Sequence, residues 1–245
     1  MRWPALVLVG LALTGCETTA EKSAQLERAA KRGQASALGT GASPERGLSV
    51  TRKSTKVKVS RTTILHDSEG TAAAITLENL STTPLRNVPI AITVRDAGGS
   101  PIYKNDAAGL APALVSAPLL RAHGSLTWID DQVQAAGVPA SVSATVGEGE
   151  PVTGAIPALA VQGAHFSEDQ TSGLDVEGSV VNHSRISQRE LVVYCSALRG
   201  GKIVAAGRAL VPLAPAGAPT RFQIYFVGDP RGAQLELSAP ATTLR

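Results

Sequence analysis

The feature that most constrains the fold of this chain is a series of short segments in which apolar and polar residues alternate. Clear examples are residues 56–59, 90–95, 142–146 and 222–226. Successive side chains of a strand point to opposite faces, so a period of two predicts half-buried strands. Turns rich in glycine and proline separate these segments, and none beyond residue 55 has a long helical period. The pattern predicts an all-β fold of the sandwich type.

The composition limits both the core and the partners of the chain. Hydrophobic residues make up 43% of it, but aromatic residues only 3%. The core must therefore be built from Ala, Val, Leu and Ile, which bury less area per residue than aromatic side chains. The net charge of +3 is too small an excess to predict nucleic acid as a partner.

The folded region contains an internal duplication. Residues 75–81 and 178–184 each form a predicted strand that runs into Asn-x-Ser, and each is followed by another strand and a Gly-Gly turn. We interpret this recurring order as two tandem copies of one β-sandwich domain. The predicted boundaries are 55–146 for domain 1, 147–155 for a linker and 156–245 for domain 2. The sequons at Asn79 and Asn182 are interpreted as turns, in which asparagine tolerates a left-handed backbone and bonds to it.

The N-terminus has the organisation of a secretory signal peptide. Arg2 precedes an apolar run at residues 5–13, and the small residue Gly15 follows before Cys16. The run is too short to cross a bilayer, which needs about 20 residues. Residues 1–15 are therefore predicted to be a signal peptide.

The ending Leu13-Thr14-Gly15-Cys16 resembles the lipobox of bacterial lipoproteins. The resemblance implies cleavage between Gly15 and Cys16 and acylation of the Cys16 thiol, which attaches the chain to membrane lipid. By the same resemblance, Glu17 favours the outer membrane, facing the periplasm or the cell surface. The outer face of the cytoplasmic membrane is the alternative. An ordinary cysteine in an uncleaved or differently cleaved signal is the other interpretation of Cys16.

Residues 16–54 are predicted to be a lipidated N-terminus followed by a flexible tether. Residues 33–45 are rich in Gly, Ala and Ser, and residues 20–31 allow a short helix that would be marginal alone. Basic residues outnumber acidic ones between Lys22 and Arg61. This excess favours contact with anionic headgroups or lipopolysaccharide phosphates, although a solvated linker is the simpler interpretation.

Domain 2 resembles the FxLYD-type domains of bacterial envelope lipoproteins. The residues that carry the resemblance are Gly178, Val180, Asn182, Ser184, Gly201, Leu213, Pro215, Gly217 and Phe222. The naming motif itself is incomplete, because residues 197–200 lack both aromatic side chains. The resemblance implies a small immunoglobulin-like sandwich and brings no catalytic residues.

No motif in the chain predicts catalysis, a metal centre or a cofactor. The sequence has no nucleophile elbow, phosphate-binding loop or dinucleotide fingerprint, and no histidine lies at metal-ligand spacing from a cysteine or another histidine. His165 precedes Glu168 and Asp169, which allows a weak calcium site, but solvated loop charge is the simpler interpretation. The same interpretation is applied to Asp130 and Asp131.

Three further residues are candidates for contacts. With Cys16 acylated, Cys195 has no partner for an intrachain disulfide and is expected to be a small buried residue. A reactive thiol or an intermolecular disulfide is the alternative. Period two places Tyr194 and Tyr225 outward on strands expected to be neighbours, where they would form an exposed patch for a partner. Ordinary cross-strand pairing explains both tyrosines equally well.

These observations favour a non-enzymatic, lipid-anchored envelope protein that contacts another envelope protein or the cell wall. One alternative is an envelope hydrolase or ligand carrier with a site between the domains, near residues 147–155 and His165. A spacer without a specific ligand is the third hypothesis.

Overall fold

The computed structural model describes residues 47–169 and 173–244, together with Ala24. This part of the chain is built from antiparallel strands, which confirms the all-β prediction. The predicted signal peptide, Gly15, Cys16 and the tether as far as residue 46 lie outside the described residues, except for the helical Ala24. No helix in the described segments is long and apolar enough to cross a membrane.

The first half of the body, residues 47–152, contains eight strands and the 3-10 helix Pro112–Leu114. The strands are β1 (Val57–Asp67), β2 (Gly70–Asn79), β3 (Leu85–Arg95), β4 (Pro101–Lys104), β5 (Ser116–Leu120), β6 (Ser125–Asp130), β7 (Ser141–Val146) and β8 (Glu150–Pro151). One sheet has the order β1-β2-β6, and in the other β3 pairs with β4, β5, β7 and β8.

The described residues of the second half, 153–169 and 173–244, form seven strands in two sheets. They are β9 (Leu159–Asp169), β10 (Gly173–Asn182), β11 (Gln188–Arg199), β12 (Lys202–Ala214), β13 (Pro219–Tyr225), β14 (Val227–Gly228) and β15 (Gln234–Ser238). The sheet orders are β13-β10-β9 and β14-β12-β11-β15.

The two halves share one pairing scheme. The order β1-β2-β6 corresponds to β9-β10-β13, and β3 with its partners β5 and β7 corresponds to β11 with β12 and β15. The main difference is that β12 is one continuous strand, whereas the first half has β4 and β5 separated by residues 105–115.

The two Asn-x-Ser turns make matching hydrogen bonds. The side-chain amide of Asn79 donates to the carbonyls of Thr83 and Arg121, and its oxygen accepts from the backbone and hydroxyl of Ser81. Asn182 donates to two carbonyls in the same way and accepts both bonds from Ser184. The predicted bonding to the backbone is confirmed. The predicted left-handed backbone is not, since neither asparagine is among the described non-glycine residues with positive φ.

The two halves pack face to face. Sheet β1-β2-β6 contacts β11, β12 and β14 of the second half. Because of this surface, which we call the joint, the central strands β2, β11 and β12 contain runs of residues that are buried on both faces of their sheets. In β2 the five consecutive residues 71–75 are buried, and in β11 so are residues 191–197. One apolar cluster accordingly combines residues of both halves.

The predicted linker is largely part of the first half. The backbone amide of Gly147 donates to the carbonyl of Pro89, β8 pairs with β3, and the amide of Val152 donates to the carbonyl of Pro84. Pairing also begins slightly before the predicted boundary at residue 55, because Lys53 bridges to Gly147. The chain therefore leaves the first half only after Val152.

Candidate functional site

A buried ion pair crosses the joint. The Nε atom of Arg208 lies 2.9 Å from Oδ1 of Asp131, and the backbone amide of Arg208 donates to Oδ2 of the same carboxylate at 3.2 Å. The two side chains are 0% and 1% exposed. Charges are stable at such depth only when they are paired and hydrogen-bonded, so each residue depends on the other half of the protein.

Strand geometry explains how these residues meet. Arg208 lies in the middle of β12, directly opposite Tyr194 of β11, and both face the joint. Asp131 follows the last residue of β6, which is paired with β2 on the other side of the joint. Because successive side chains of a strand point to opposite faces, the neighbours Val193 and Cys195 point into the core of the second half.

The neighbouring carboxylate, Asp130, faces the interior of the first half. The hydroxyl of Tyr103 donates to its Oδ2 at 3.2 Å, and the amide of Gln132 donates to its Oδ1 at 3.0 Å. Burial raises the pKa of Asp130 to about 6, although the Arg208 guanidinium lowers it. Burial beside Asp130 also raises the pKa of the Tyr103 phenol. Solvated loop charge was therefore the wrong prediction for Asp130 and Asp131, because both are 0% exposed.

Two further hydrogen bonds cross the joint. The Oδ2 atom of Asp67 accepts from the backbone amide of Gly228 at 2.6 Å, and the Arg61 guanidinium donates to the carbonyl of Gly201 at 2.9 Å. Together with the buried ion pair, they add directional polar contacts to the apolar packing of the joint. These contacts restrict how one sheet slides over the other.

The expected exposed tyrosine patch does not form. Tyr194 is 1% exposed, because the face of β11 that points away from its own core is covered by the first half. Tyr225 is partly exposed on β13, which belongs to the other sheet of the second half and does not pair with β11. The alternation of Tyr194 was predicted correctly, but the availability of its ring to a partner was not.

A cavity of about 300 Å³ opens where the two halves meet. The first half contributes residues 111–113 and parts of β3 and β5, whereas the second contributes β11, β12 and residues near its C-terminus. Polar and charged residues around this interhalf cavity include Asn87, Arg189, Glu190 and Thr242. Two of them, Asn87 and Glu190, have positive φ values of 49° and 48°.

The other predicted site residues are not gathered into a site. His165 and Glu168 are exposed on β9, and the described residues hold no group of three or more His, Cys, Asp or Glu side chains suited to a metal ion. A small cavity of about 180 Å³ does lie at residues 148–151, but His165 is not among its lining residues. Cys195 is 0% exposed, and burial raises the pKa of its thiol to about 12, so the native thiol is unreactive.

Comparison with known proteins gives little further information. No protein-family model and no curated protein matches the chain. One solved structure that it resembles is the exo-chitosanase CsxA of Amycolatopsis orientalis, at 13% sequence identity and a TM-score of 0.27. The match covers 75% of this chain but only 26% of the chitosanase. A similarity at this TM-score gives no information about function.

Proposed function

We propose that the chain is a lipid-anchored bacterial envelope protein with a non-enzymatic binding or structural role, in contact with another envelope protein or with the cell wall. The observation that carries the proposal is the position of Cys16. Cys16 follows a leader that is first charged and then apolar. A segment suited to a tether separates Cys16 from Lys53, where strand pairing of the described body begins. Two or three acyl chains on Cys16 would hold such a body at a membrane, since one chain alone binds only marginally.

The joint supports a body that acts as one piece. The apolar cluster shared by the halves and the buried pair of Asp131 and Arg208 oppose rotation of one half against the other. A tether with a rigid body suits a protein that presents fixed surfaces to a partner. We propose the outer membrane as the location, on the basis of Glu17.

We also propose that the halves are two immunoglobulin-like units of the FxLYD type that arose by duplication. The matching strand pairing and the matching bonds of Asn79 and Asn182 support this. The continuous strand β12 corresponds to β4, residues 105–115 and β5, so under this proposal the two copies have diverged in that region.

The anchor is tested by comparing the parent chain with a Cys16→Ser variant in a bacterial host. Membrane fractionation and the mass of the mature N-terminus are measured, with and without globomycin, which blocks lipoprotein signal cleavage. We expect the variant to leave the membrane fraction and to lose the acyl mass. The matched control is Cys195→Ala, which should remain acylated and membrane-bound.

The binding role is tested by crosslinking in native envelopes. The anchored protein should recover the same envelope protein or cell-wall fragment repeatedly. If the Cys16→Ser variant keeps both the mass of the mature N-terminus and its membrane attachment unchanged, the anchor is refuted. Repeated failure to recover any partner, with the anchor intact, would refute the binding role and favour a spacer.

A further inference from the structure

We propose that the interhalf cavity binds a small zwitterionic ligand of the peptide class, with Arg189 recognising its carboxylate and Glu190 its ammonium group. This site would give the binding role proposed above a specific ligand, but it does not depend on the lipid anchor. The volume of about 300 Å³ lies at the lower end of the range of about 300–1,000 Å³ that is typical of small-molecule sites.

Two residues of opposite charge line one cavity because the strand is distorted. In a regular strand, Arg189 and Glu190 would point to opposite faces. Glu190 instead has a φ of 48°, which interrupts the alternation, and both residues line the cavity. Glutamate seldom adopts this left-handed conformation, and strained residues of this kind concentrate at ligand sites.

Both charges are available to a ligand. Within residues 47–169 and 173–244, neither the Arg189 guanidinium nor the Glu190 carboxylate makes an ion pair, and both residues are exposed. A guanidinium binds a carboxylate through charge-assisted hydrogen bonds, and a carboxylate does the same for an ammonium group. A ligand that carries both groups would satisfy both residues at once.

The surroundings of the two charges are suited to a short aliphatic peptide. Val192 and Leu210 line the cavity from the second half, and Pro112 and Pro118 line it from the first. The backbone of Arg189 is held in place from the C-terminal segment, because the Thr242 hydroxyl donates to its carbonyl at 2.6 Å. The cavity therefore combines two residues of opposite charge with apolar walls contributed by both halves.

The test measures binding of alanine peptides to the purified full chain by isothermal titration calorimetry. Four probes are used. Trialanine carries both terminal charges, N-acetyl-trialanine only the carboxylate, trialanine amide only the ammonium group, and N-acetyl-trialanine amide neither. We expect a Kd on the order of 0.1–1 mM for trialanine. Each blocked end should weaken binding about tenfold, since a charge-assisted bond is lost. All-D trialanine is compared with the L-form to distinguish the source of the peptide. Tighter binding of the D-form would favour cell-wall peptides, and tighter binding of the L-form would favour gene-encoded ones.

Charge-removing variants link each end of the peptide to one residue. Arg189→Gln should abolish the difference between trialanine and its amide, and Glu190→Gln should abolish the difference caused by acetylation. The matched controls are Arg185→Gln and Glu177→Gln, which remove exposed charges outside the cavity. Far-UV circular dichroism and thermal unfolding establish that each variant is folded.

The proposal is overturned if trialanine does not bind, if the doubly blocked peptide binds equally well, or if the controls lose as much affinity as the cavity variants. If one cavity variant does not fold, the other still tests its own end of the peptide, and Glu190→Gly removes the carboxylate while relieving the left-handed strain. A failed binding test would leave the Cys16 anchor result unaffected.

Discussion

Replacing Arg208 with methionine should lower the free energy of unfolding by about 3–5 kcal/mol, the usual effect of breaking a buried ion pair. The substitution removes the guanidinium that lies 2.9 Å from Asp131 and leaves a carboxylate that is only 1% exposed. Methionine retains much of the length of the arginine stem, so most of the apolar contact at the joint is preserved. The loss should therefore report on charge and hydrogen bonding.

The magnitude follows from two contributions. Loss of one charge-assisted hydrogen bond costs about 1.5–3 kcal/mol. The remaining Asp131 keeps its bond from the backbone amide of residue 208, but its desolvation is no longer offset by an opposite charge. The double variant Asp131→Asn with Arg208→Met removes both charges but keeps a side-chain oxygen that can accept from the backbone amide of residue 208, so it should recover much of the loss. The coupling energy of the double-mutant cycle should then exceed about 2 kcal/mol.

The assay is urea unfolding of the purified full chain at pH 7, followed by far-UV circular dichroism. The matched control is Arg86→Met, because Arg86 pairs with Glu150 at 2.7 Å with both side chains about half exposed. That variant should lose only about 0.2–1 kcal/mol. If Arg208→Met loses no more than Arg86→Met, the buried pair does not stabilise the joint. If the double variant is as unstable as the single one, the loss arises from packing and the electrostatic reasoning is wrong.

Three further predictions concern single residues. Asp130→Asn should flatten the pH dependence of stability. In the parent, the pKa of Asp130 is about 6 in the folded state against an ordinary value of 3.8, so the parent loses on the order of 3 kcal/mol of stability as pH rises through this range. Urea titrations of both proteins at pH 4, 5, 6 and 7 should show the difference. An unchanged slope would contradict the buried position of Asp130. Asn79→Ala and Asn182→Ala should each destabilise the protein by about 2–4 kcal/mol in urea unfolding, at about 1 kcal/mol per lost bond, whereas a large effect in one half alone would refute their equivalence. The peptide that contains Cys195 should resist iodoacetamide at pH 8 in the native protein and react in urea, as peptide mass mapping would show; rapid native labelling would contradict its burial.

The strands were predictable because most of them have one exposed face. In β3 the buried positions alternate from Val88 to Arg95, and in β13 Phe222 and Ile224 are buried between exposed or partly exposed neighbours. Such a pattern is written directly in the sequence as period two. The matching Asn-x-Ser turns were visible for a related reason, since Asn79 and Asn182 make the same local bonds in each half.

The joint was not predicted, although the sequence contains a signal for it. Alternation identifies the face of a strand that points to its own core, but it does not show what covers the other face. In β2 and β12 the residues are apolar in both phases of the alternation, which is typical of strands buried on both sides. Arg208 interrupts such a run, and a lone charge there requires a partner such as Asp131.

The interhalf cavity was beyond sequence reasoning for two reasons. It forms only where the insertion at residues 105–115 meets β11, a contact between segments far apart in the chain. It also depends on the positive φ of Glu190, and nothing in the residue type indicates that conformation. The expectation of a site near residues 147–155 was reasonable for a linker, but most of that segment is bonded to β3.

Burial of both faces of the central strands β2, β11 and β12 has a consequence for attempts to shorten the protein. A fragment ending at Val152 would expose the outer side of β2, and one starting after it would expose Tyr194 and Ala206 to water. Either fragment would carry a broad apolar surface of the kind that drives aggregation. Although the two halves share one pairing scheme, the protein should melt in a single cooperative transition, and neither half should be recoverable as a soluble protein by itself.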